Sequence, residues 1–374
     1  MKTLLLLGVL AALPLAAQCG TGCGQCTPPG LHTVPAAESP RIADSVGRAG
    51  MVASLLPGKC GARILMTGGA NFPQAKPGAK TPAERGPKVF YDDVLVFDPA
   101  TGSSETVGKL PYAIGYAAHT SHLPKRMILA GGCNMEGHTN RTLSVSWHQG
   151  QFSMQELPAL PLRTAYPAFV QAKGKLYIFG GQENADSTAC LNRSFVLDLS
   201  APEKGWAELA PMPGEGRMLA AAGTCCRSGN IYITGGCSLH PDAKGQAERT
   251  YLKSTLCYNP ATNTWSAAAD MPETIVAPAT PMPATRAGLL VIGGDPGNFY
   301  RASLSGTAPA IHPGQNTTVY AFCPQSGTWK KYGENSIGIA TAPAVKAGCT
   351  IYTISGETHP GVRTPVITTL QLKK

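Results

Sequence analysis

Residues 176–181 read Leu-Tyr-Ile-Phe-Gly-Gly, an apolar run of four residues that ends in two glycines. Four further apolar runs end in the same pair, and a sixth ends in Ser355-Gly356. The first positions of successive pairs are 63, 49, 55, 58 and 62 residues apart. A repeat of this length that carries several short strands is typical of blades stacked around a common axis. The other glycine pairs are Gly68-Gly69, Gly131-Gly132, Gly235-Gly236 and Gly293-Gly294.

Each copy of the repeat contains the elements of a four-stranded blade. A small-residue strand precedes the apolar run, and a polar loop and a third strand follow the glycine pair. Trp206, Trp265 and Trp329 lie in fourth strands. This pattern resembles the kelch repeat and implies an all-β, six-bladed kelch-type β-propeller. We attribute the glycine pairs to crowding of the strands near the propeller axis.

The last copy supplies only three strands, and residues 31–35, Leu-His-Thr-Val-Pro, resemble a fourth. We therefore predict that an N-terminal strand closes the last blade, which leaves the ring without a free strand edge. The predicted propeller domain is residues 31–374.

Composition favours short strands and turns over long helices. The chain of 374 residues contains 43 glycines and 32 prolines, and 14% of its residues are charged. Many turn residues with few charges are typical of all-β folds. The formal charge is +9, but basic residues such as Lys173 and Lys175 are scattered rather than clustered with aromatic residues. We therefore predict no nucleic-acid binding and a mild attraction for anionic ligands.

The N-terminus has the features of an export signal. Lys2 precedes an apolar stretch from Leu4 to Leu15, and Ala16-Ala17 follow it. This pattern predicts a signal peptide at residues 1–17, too short for a stable membrane span, and a periplasmic or secreted protein. Cys19 leaves a lipoprotein as an alternative.

Residues 18–30 form a Cys-rich linker. An exported chain with 12 cysteines is expected to form some disulfides, whose pairing the sequence leaves open. The Cys-x-x-Cys motif at Cys23 and Cys26 has no second pair at zinc-binding spacing, so we predict no metal site. We predict no cofactor either, and the oligomeric state stays open.

In an up-and-down blade, the loop after each glycine pair lies on the same face as the start of each first strand. We expect polar side chains from both sets to surround one axial funnel. Arginines outnumber acids among them, which favours an anionic small molecule, because a guanidinium binds a carboxylate through two hydrogen bonds. The alternatives are solvated rim charges for the arginines and a turn cap for Asn71. The predicted substrate-binding residues are Asn71, Arg48, Arg163 and Arg217, and Tyr116 and Arg286 belong to the same set. His119 and His359 are candidate acid/base partners, with packing or solvent exposure as the alternative.

Residues 355–364, Ser-Gly-Glu-Thr-His-Pro-Gly-Val-Arg-Thr, follow the last apolar run. Pro360 and Gly361 favour a reversal of the chain, which brings Glu357 and Arg363 into one space. An acid/base group would then lie beside an anion clamp. The alternative is a surface turn with a loose ion pair, which contributes little to stability.

This last motif, together with Gly-Gly-Ala-Asn-Phe-Pro at residues 68–73, resembles the N-acetylneuraminate epimerase (sialate mutarotase) family of kelch propellers. In that family the Glu-containing motif lies mid-chain, whereas here it comes last, as in a cyclically permuted branch. The resemblance implies that Glu357 transfers protons and that Arg363 binds the substrate carboxylate. The implied activity is interconversion of the α and β anomers of a sialic-acid-like sugar by acid/base ring opening.

Three other functions compete with this prediction. A non-catalytic kelch propeller that binds a carbohydrate or a protein is the main alternative. A sialidase would need Ser-x-Asp-x-Gly-x-x-Trp repeats, and the sequence contains none. A copper oxidase would need Tyr, Cys and His ligands that converge at the axis, and we see no such spacing.

Overall fold

In a computed structural model, the residues described are 30–58, 61–75, 82–309 and 312–373. They form six sheets of four main antiparallel strands, arranged as the blades of a β-propeller, as predicted. The predicted signal peptide and all but the last residue of the predicted Cys-rich linker lie outside the described residues.

The strands of each blade follow one another from the propeller axis outward. Blade 1 contains Ala49–Leu56, Arg63–Asn71, Asp93–Asp98 and Ser103–Lys109; blade 2 contains Ala118–His119, Arg126–Ala130, Thr142–His148 and Gln151–Leu157; blade 3 contains Ala168–Ala172, Lys175–Phe179, Ser194–Asp198 and Trp206–Leu209. Blade 4 contains Ala221–Thr224, Ile231–Thr234, Thr255–Asn259 and Thr264–Ala268; blade 5 contains Ala284–Thr285, Gly288–Ile292, Thr318–Cys323 and Thr328–Glu334; blade 6 contains Ala344–Ala347, Thr350–Ile354, Ile367–Leu372 and Leu31–Thr33.

The N-terminal strand completes the last blade. Leu31–Thr33 pairs antiparallel with Ile367–Leu372, with Leu31 opposite Leu372. Because the first described strand covers the edge of the last sheet, the ring closes as predicted.

Smaller elements extend the blades at the end where the glycine pairs lie. Hairpins follow the pairs of blades 2, 4 and 6, and a short strand borders blade 1. Among the described residues, no helix has the length and apolar character needed to cross a membrane. These elements are the hairpins Cys133–Asn134 with Gly137–His138, Cys237–Pro241 with Ala247–Tyr251, and Glu357–His359 with Val362–Arg363, the strand Val89–Phe90, and the helices Pro82–Arg85 and Asn298–Leu304. The 3₁₀ helix Pro202–Lys204 lies at the opposite end, between the third and fourth strands of blade 3.

The glycine pairs join each blade to the next. In blade 2, Gly131 has a φ of 67°, and a Cβ there would lie 2.5 Å from the Thr164 carbonyl oxygen of blade 3. The N–H of Gly132 donates to that same oxygen, with an N···O distance of 2.7 Å. In blade 6, Ser355 takes the first position, and its hydroxyl accepts from the Arg48 N–H at 2.7 Å. The crowding that selects the first glycine therefore comes from the backbone of the following blade. At the second glycine, Gly132, an added Cβ would lie 2.6 Å from the Gly115 carbonyl oxygen of its own blade, near the axis.

A closed ring of six backbone hydrogen bonds surrounds the axis, with N···O distances of 2.8–3.0 Å. Near the start of each first strand, one N–H donates to the equivalent carbonyl of the preceding blade; the Gly50 N–H donates to Thr341 and so joins the first blade to the last. All six residues have φ between 54° and 69°, a strained conformation for residues other than glycine that the ring of bonds holds in place. The members are Gly50, Tyr116, Tyr166, Leu219, Ala277 and Thr341.

The described cysteines include disulfide-bonded residues and free thiols, which lie in different parts of the propeller. Cys323 and Cys349 are disulfide-bonded, as expected for some cysteines of an exported chain. Cys133, Cys190 and Cys237 are free thiols near the glycine-pair end of the propeller, and burial raises the pKa of each. These three thiols are therefore protonated at neutral pH.

Candidate functional site

A cavity of about 620 Å³ opens around the axis at the end of the propeller where the glycine pairs lie. We call it the axial cavity. Its floor is the hydrogen-bonded ring, and its walls come from the loops and hairpins that follow the glycine pairs. The volume lies within the usual range for small-molecule sites. The ring residues that line the floor are Tyr116, Tyr166, Leu219, Ala277 and Thr341.

Several aromatic side chains line the axial cavity. The blade 4 hairpin contributes Tyr251, and helix Asn298–Leu304 contributes Tyr300, whose ring stacks on Tyr251 with centroids 5.3 Å apart. On the floor, the ring centroids of Tyr116 and Tyr166 lie 4.7 Å apart. Phe299, His138 and His312 also line the cavity.

The tyrosine hydroxyls of the lining are neutral hydrogen-bonding groups. Burial raises the pKa of Tyr116, Tyr166 and Tyr251, so these phenols stay protonated at neutral pH. The Tyr251 hydroxyl donates to Asp295 at 2.8 Å, and the Gly297 N–H donates to the other oxygen of that carboxylate at 2.8 Å. The wall therefore presents fixed polar groups between aromatic faces.

Gln315, a residue of the cavity wall, carries an unsatisfied polar atom that is itself buried. The residue is 9% exposed, and its backbone N–H donates to Thr358 at 2.8 Å. Its side-chain oxygen has no hydrogen-bond partner among the described residues. A buried acceptor without a donor costs about 1–3 kcal/mol, so a ligand or water hydroxyl that reached it would be favoured.

The blade 6 hairpin brings Glu357 and Arg363 together, directly opposite each other in register. Glu357 lines the axial cavity and forms an ion pair with Arg363. The Arg363 side chain is 5% exposed; its Nε donates to the Ala70 carbonyl at 3.4 Å, and its guanidinium lies 5.1 Å from the centroid of the Phe72 ring. Glu357 is therefore the member of the pair that a ligand in the cavity can reach.

Comparison of this chain with known proteins finds similarity to the repeat. A model of the Kelch motif matches residues 218–272, a range that contains all four strands of blade 4. The chain is a kelch-type β-propeller. Among curated proteins, the Danio rerio protein named "Kelch repeat and BTB domain-containing protein 12" is 27% identical over 172 residues. That match covers 44% of this chain and 27% of the relative, so the chain spans about a quarter of the relative's length. Neither match concerns the N-acetylneuraminate epimerase family, and that resemblance stays a prediction.

Two of the predicted substrate-binding residues of this kelch propeller lie in a buried network beside the cavity. Arg48 is 4% exposed; its Nε donates to Asp44 at 2.8 Å and its Nη2 to Asp93 at 2.9 Å. Asn71 is fully buried; its amide donates to the Gly47 carbonyl at 2.9 Å and its oxygen accepts from Tyr91 at 2.8 Å. Both side chains are occupied within the protein, so the structure gives them a role in packing blade 1 against blade 6.

The other predicted arginines do not reach the axial cavity. Arg217 is 5% exposed; it donates to the Gly235 carbonyl at 3.2 Å and the Ser254 carbonyl at 3.1 Å, and burial lowers its pKa to about 10. Arg163 is exposed on the connection between blades 2 and 3, and Arg286 is exposed at the opposite end of blade 5. Arg48 and Arg217 each lie two positions before the residue that their blade contributes to the hydrogen-bonded ring. At this offset, both side chains lie in the space between blades.

The lining therefore has a different charge from the predicted cation-rich funnel. Its charged side chains in the described chain are Arg249, Asp295 and Glu357. The predicted excess of arginines around the axis is replaced by aromatic rings, neutral hydroxyls and two carboxylates. No group of three or more His, Cys, Asp or Glu side chains in the described ranges has the arrangement of a metal site.

Sequence reasoning missed a lysine behind the cavity floor. The Lys88 ammonium lies 4.7 Å from the ring centroid of Phe90 and 4.8 Å from that of Tyr116. Burial lowers its pKa, and the positive charge of Arg363 lowers it further. Lys88 follows Gly86-Pro87 in a loop that shares no motif with the other blades, so no sequence pattern indicates this position.

Beyond the floor, the axis narrows to an apolar channel of about 50 Å³. His119 lines this channel, fully buried, with its ring centroid 4.5 Å from that of Phe169. Burial lowers the pKa of His119 to about 4, so the imidazole is neutral at physiological pH. The predicted acid/base residue His119 is thus separated from the cavity, whereas His359 packs edge-on against the cavity residue His312 at 6.1 Å.

Proposed function

We propose that this kelch propeller binds a small carbohydrate in the axial cavity. The observation that carries the proposal is the combination of stacked aromatic rings with neutral hydroxyls around a site of about 620 Å³. A sugar ring presents apolar C–H faces, which pack on aromatic rings, and hydroxyl edges, which need donors and acceptors. The carboxylates of Asp295 and Glu357 in the lining supply acceptors.

Binding stands ahead of catalysis because the Kelch matches concern the repeat and name no reaction. The charged groups of the wall are consistent with a neutral sugar or with a sugar acid. Arg249 is the basic side chain of the described lining, so it is the residue that a ligand carboxylate would reach.

A hydroxyl deletion tests the binding site. Tyr251→Phe removes a cavity hydroxyl that donates to Asp295 at 2.8 Å, and we expect it to weaken sugar binding about tenfold, because the wall loses one hydroxyl and the Asp295 carboxylate loses the hydrogen bond that holds it in place. Tyr320→Phe is the matched control, because that hydroxyl donates to the Glu273 carboxylate at 2.6 Å outside the cavity. Calorimetric titration with N-acetylneuraminate and with glucose measures both variants. The proposal would be contradicted if neither sugar bound to the wild type, or if both variants lost the same amount of sugar affinity.

A second candidate, anomer interconversion of a sialic-acid-like sugar, is supported by the position of Glu357 on the cavity wall. In this mechanism Glu357 takes the proton of the anomeric hydroxyl while a general acid, a water molecule or a neighbouring side chain, donates a proton to the ring oxygen, whose bond to the anomeric carbon breaks. The carbonyl that forms rotates, and the ring closes on the opposite face with the protons returned. Arg363 would hold the Glu357 carboxylate in position through their ion pair.

Anomer exchange measured by NMR tests this second candidate. Glu357→Gln removes the proton acceptor, and we expect the exchange rate to fall about 10²–10⁴-fold. Glu208→Gln is the control, because Glu208 also pairs with an arginine, Arg193, but on the exposed outer strand of blade 3. Exchange as fast in Glu357→Gln as in the wild type would remove the catalytic role while leaving the binding proposal intact.

We also propose that the protein is exported. The disulfide-bonded state of Cys323 and Cys349 supports an oxidising compartment, because thiols are kept reduced in the cytosol. Fractionation of cells that express the full chain tests the proposal. Recovery of the protein in the cytosol with all thiols reduced would contradict it.

A further inference from the structure

The end of the propeller opposite the axial cavity is formed by the turns between first and second strands. First strands start at the hydrogen-bonded ring and second strands return to the glycine pairs, so these turns point away from the cavity. They encircle the axis because they join the two innermost strands of every blade. We call this end the basic face. Its described turn residues are 57–58 and 61–62, 120–125, 173–174, 225–230, 286–287 and 347–349.

Four consecutive blades each place one exposed cation on the basic face. Lys125, Lys173, Arg227 and Arg286 come from the turns of blades 2, 3, 4 and 5. Blade 6 adds the half-buried Lys346 at the edge of its turn. The described residues of the six turns contain no aspartate or glutamate, and the four exposed cations form no ion pair within the described chain.

Contacts between neighbouring turns make the basic face one surface. The Gln171 amide of blade 3 donates to the His122 carbonyl of blade 2 at 2.8 Å, and its oxygen accepts from the Ser121 N–H at 3.0 Å. Lys173 of blade 3 lies against Gly229 of blade 4, where an added Cβ would be 2.4 Å from the ammonium. The cations are therefore held close to the axis by packed turns rather than carried on free loops.

Carboxylates of the outer turns do not neutralise these cations. Asp98 pairs with Arg63 at 2.9 Å, and Asp198 pairs with Lys175 at 3.2 Å. Glu203 lies in the 3₁₀ helix of blade 3, next to a lysine in sequence. The basic face therefore keeps an excess of positive charge.

The N-terminal segment joins the propeller at this same face. Strand Leu31–Thr33 starts beside the end of Ile367–Leu372, and the Lys373 N–H donates to the Gly30 carbonyl at 2.9 Å. Residues 1–29, which include the apolar stretch of the predicted export signal, are therefore connected to the basic face rather than to the cavity face.

We propose that the basic face docks on an anionic lipid surface. An arc of cations from four consecutive blades, on packed turns, matches a plane of negative headgroups, to which each lysine or arginine adds about a fivefold gain in affinity. The described turns contain no Phe, Tyr or Trp for stacking on bases, and no helix or β-ribbon extends from them into a nucleic-acid groove. Docking would leave the axial cavity facing the solvent, where ligands can enter.

Co-sedimentation of the full chain with vesicles tests the proposal. We expect binding to vesicles that contain phosphatidylglycerol, little binding to pure phosphatidylcholine, and loss of binding at high salt. The double variant Lys173→Gln/Arg286→Gln should lower the partition coefficient about 25-fold. The control Lys244→Gln/Lys253→Gln removes the same charge from exposed positions at the cavity end and should bind as the wild type does.

Three results would overturn the proposal. The first is equal binding to anionic and neutral vesicles, and the second is an equal loss in both double variants. The third is absence of vesicle binding together with tight binding of dextran sulfate or duplex DNA, which would assign the basic face to a soluble polyanion. Sugar titration of the same variants should be unchanged, because none of these residues lines the axial cavity.

Discussion

Replacement of Arg48 separates a structural role from a role in ligand binding. We expect Arg48→Met to lower the free energy of unfolding by about 3–5 kcal/mol and to leave sugar affinity unchanged. The guanidinium is 4% exposed, lies 2.8 Å from Asp44 and 2.9 Å from Asp93, and stacks 3.8 Å from the centroid of the Tyr91 ring.

The magnitude follows from what the substitution leaves behind. Methionine keeps the apolar packing, but Asp44 and Asp93 lose the cation that compensates their charges in a largely buried site. An uncompensated buried charge costs several kcal/mol, which is a large part of the 5–15 kcal/mol that stabilises a typical domain. The double variant Arg48→Met/Asp93→Asn should recover part of the loss, because it removes one orphaned charge.

Urea unfolding followed by tryptophan fluorescence measures the effect, since all four tryptophans lie in the blades. Arg163→Met is the control; Arg163 is exposed, and we expect a change within about 0.5 kcal/mol. A loss of sugar affinity in Arg48→Met without a loss of stability would refute the reasoning and restore Arg48 to the binding site.

Two further predictions concern the axis and the glycine pairs. Burial lowers the pKa of His119 to about 4, below the value of about 6.5 in an unfolded chain, so the unfolded state binds more protons between these pH values. The free energy of unfolding should therefore fall by roughly 3 kcal/mol for this residue as the pH drops from about 6.5 towards 4. Urea titrations of His119→Phe should show a smaller fall. If the free energy of unfolding of the variant depended on pH as steeply as that of the wild type, the prediction would be wrong. Gly68→Ala should destabilise by more than about 2 kcal/mol, because φ is 69° and the new Cβ would lie 2.2 Å from the Ile114 carbonyl oxygen. Gly150→Ala, at φ 77° with no atom within 4 Å, should cost only about 1 kcal/mol, and equal costs in thermal unfolding would refute the steric argument.

The sequence predicted the blades because each blade is a local structure. Consecutive strands pair with each other, so the apolar runs, turns and glycine pairs that define a blade lie within about 60 residues of chain. The pairing of Glu357 with Arg363 was predictable for the same reason, since the Pro360-Gly361 turn joins two strands that place them opposite each other.

The lining of the cavity was not predictable from the same pattern. Tyr251 and Tyr300 come from a hairpin and a helix that follow the glycine pairs of blades 4 and 5 and are not part of the four-stranded repeat. Tyr116 and Tyr166 belong to the hydrogen-bonded ring at the cavity floor, and their inward position depends on hydrogen bonds to neighbouring blades. Arg48 precedes its ring residue, Gly50, by two positions, and its guanidinium pairs with Asp44 and Asp93 instead of lining the cavity.

By itself, the sequence determined a ring of six blades, its closure by an N-terminal strand, and one acid–base pair on a tight turn. Tertiary structure alone decided which side chains reach the cavity, and it gathered Lys125, Lys173, Arg227 and Arg286, which look scattered along the chain, onto one face. The physical reason is the closure of the ring. Hydrogen bonds such as that between Gly50 and Thr341 bring together residues almost 300 positions apart, and no local pattern of polarity records such a contact.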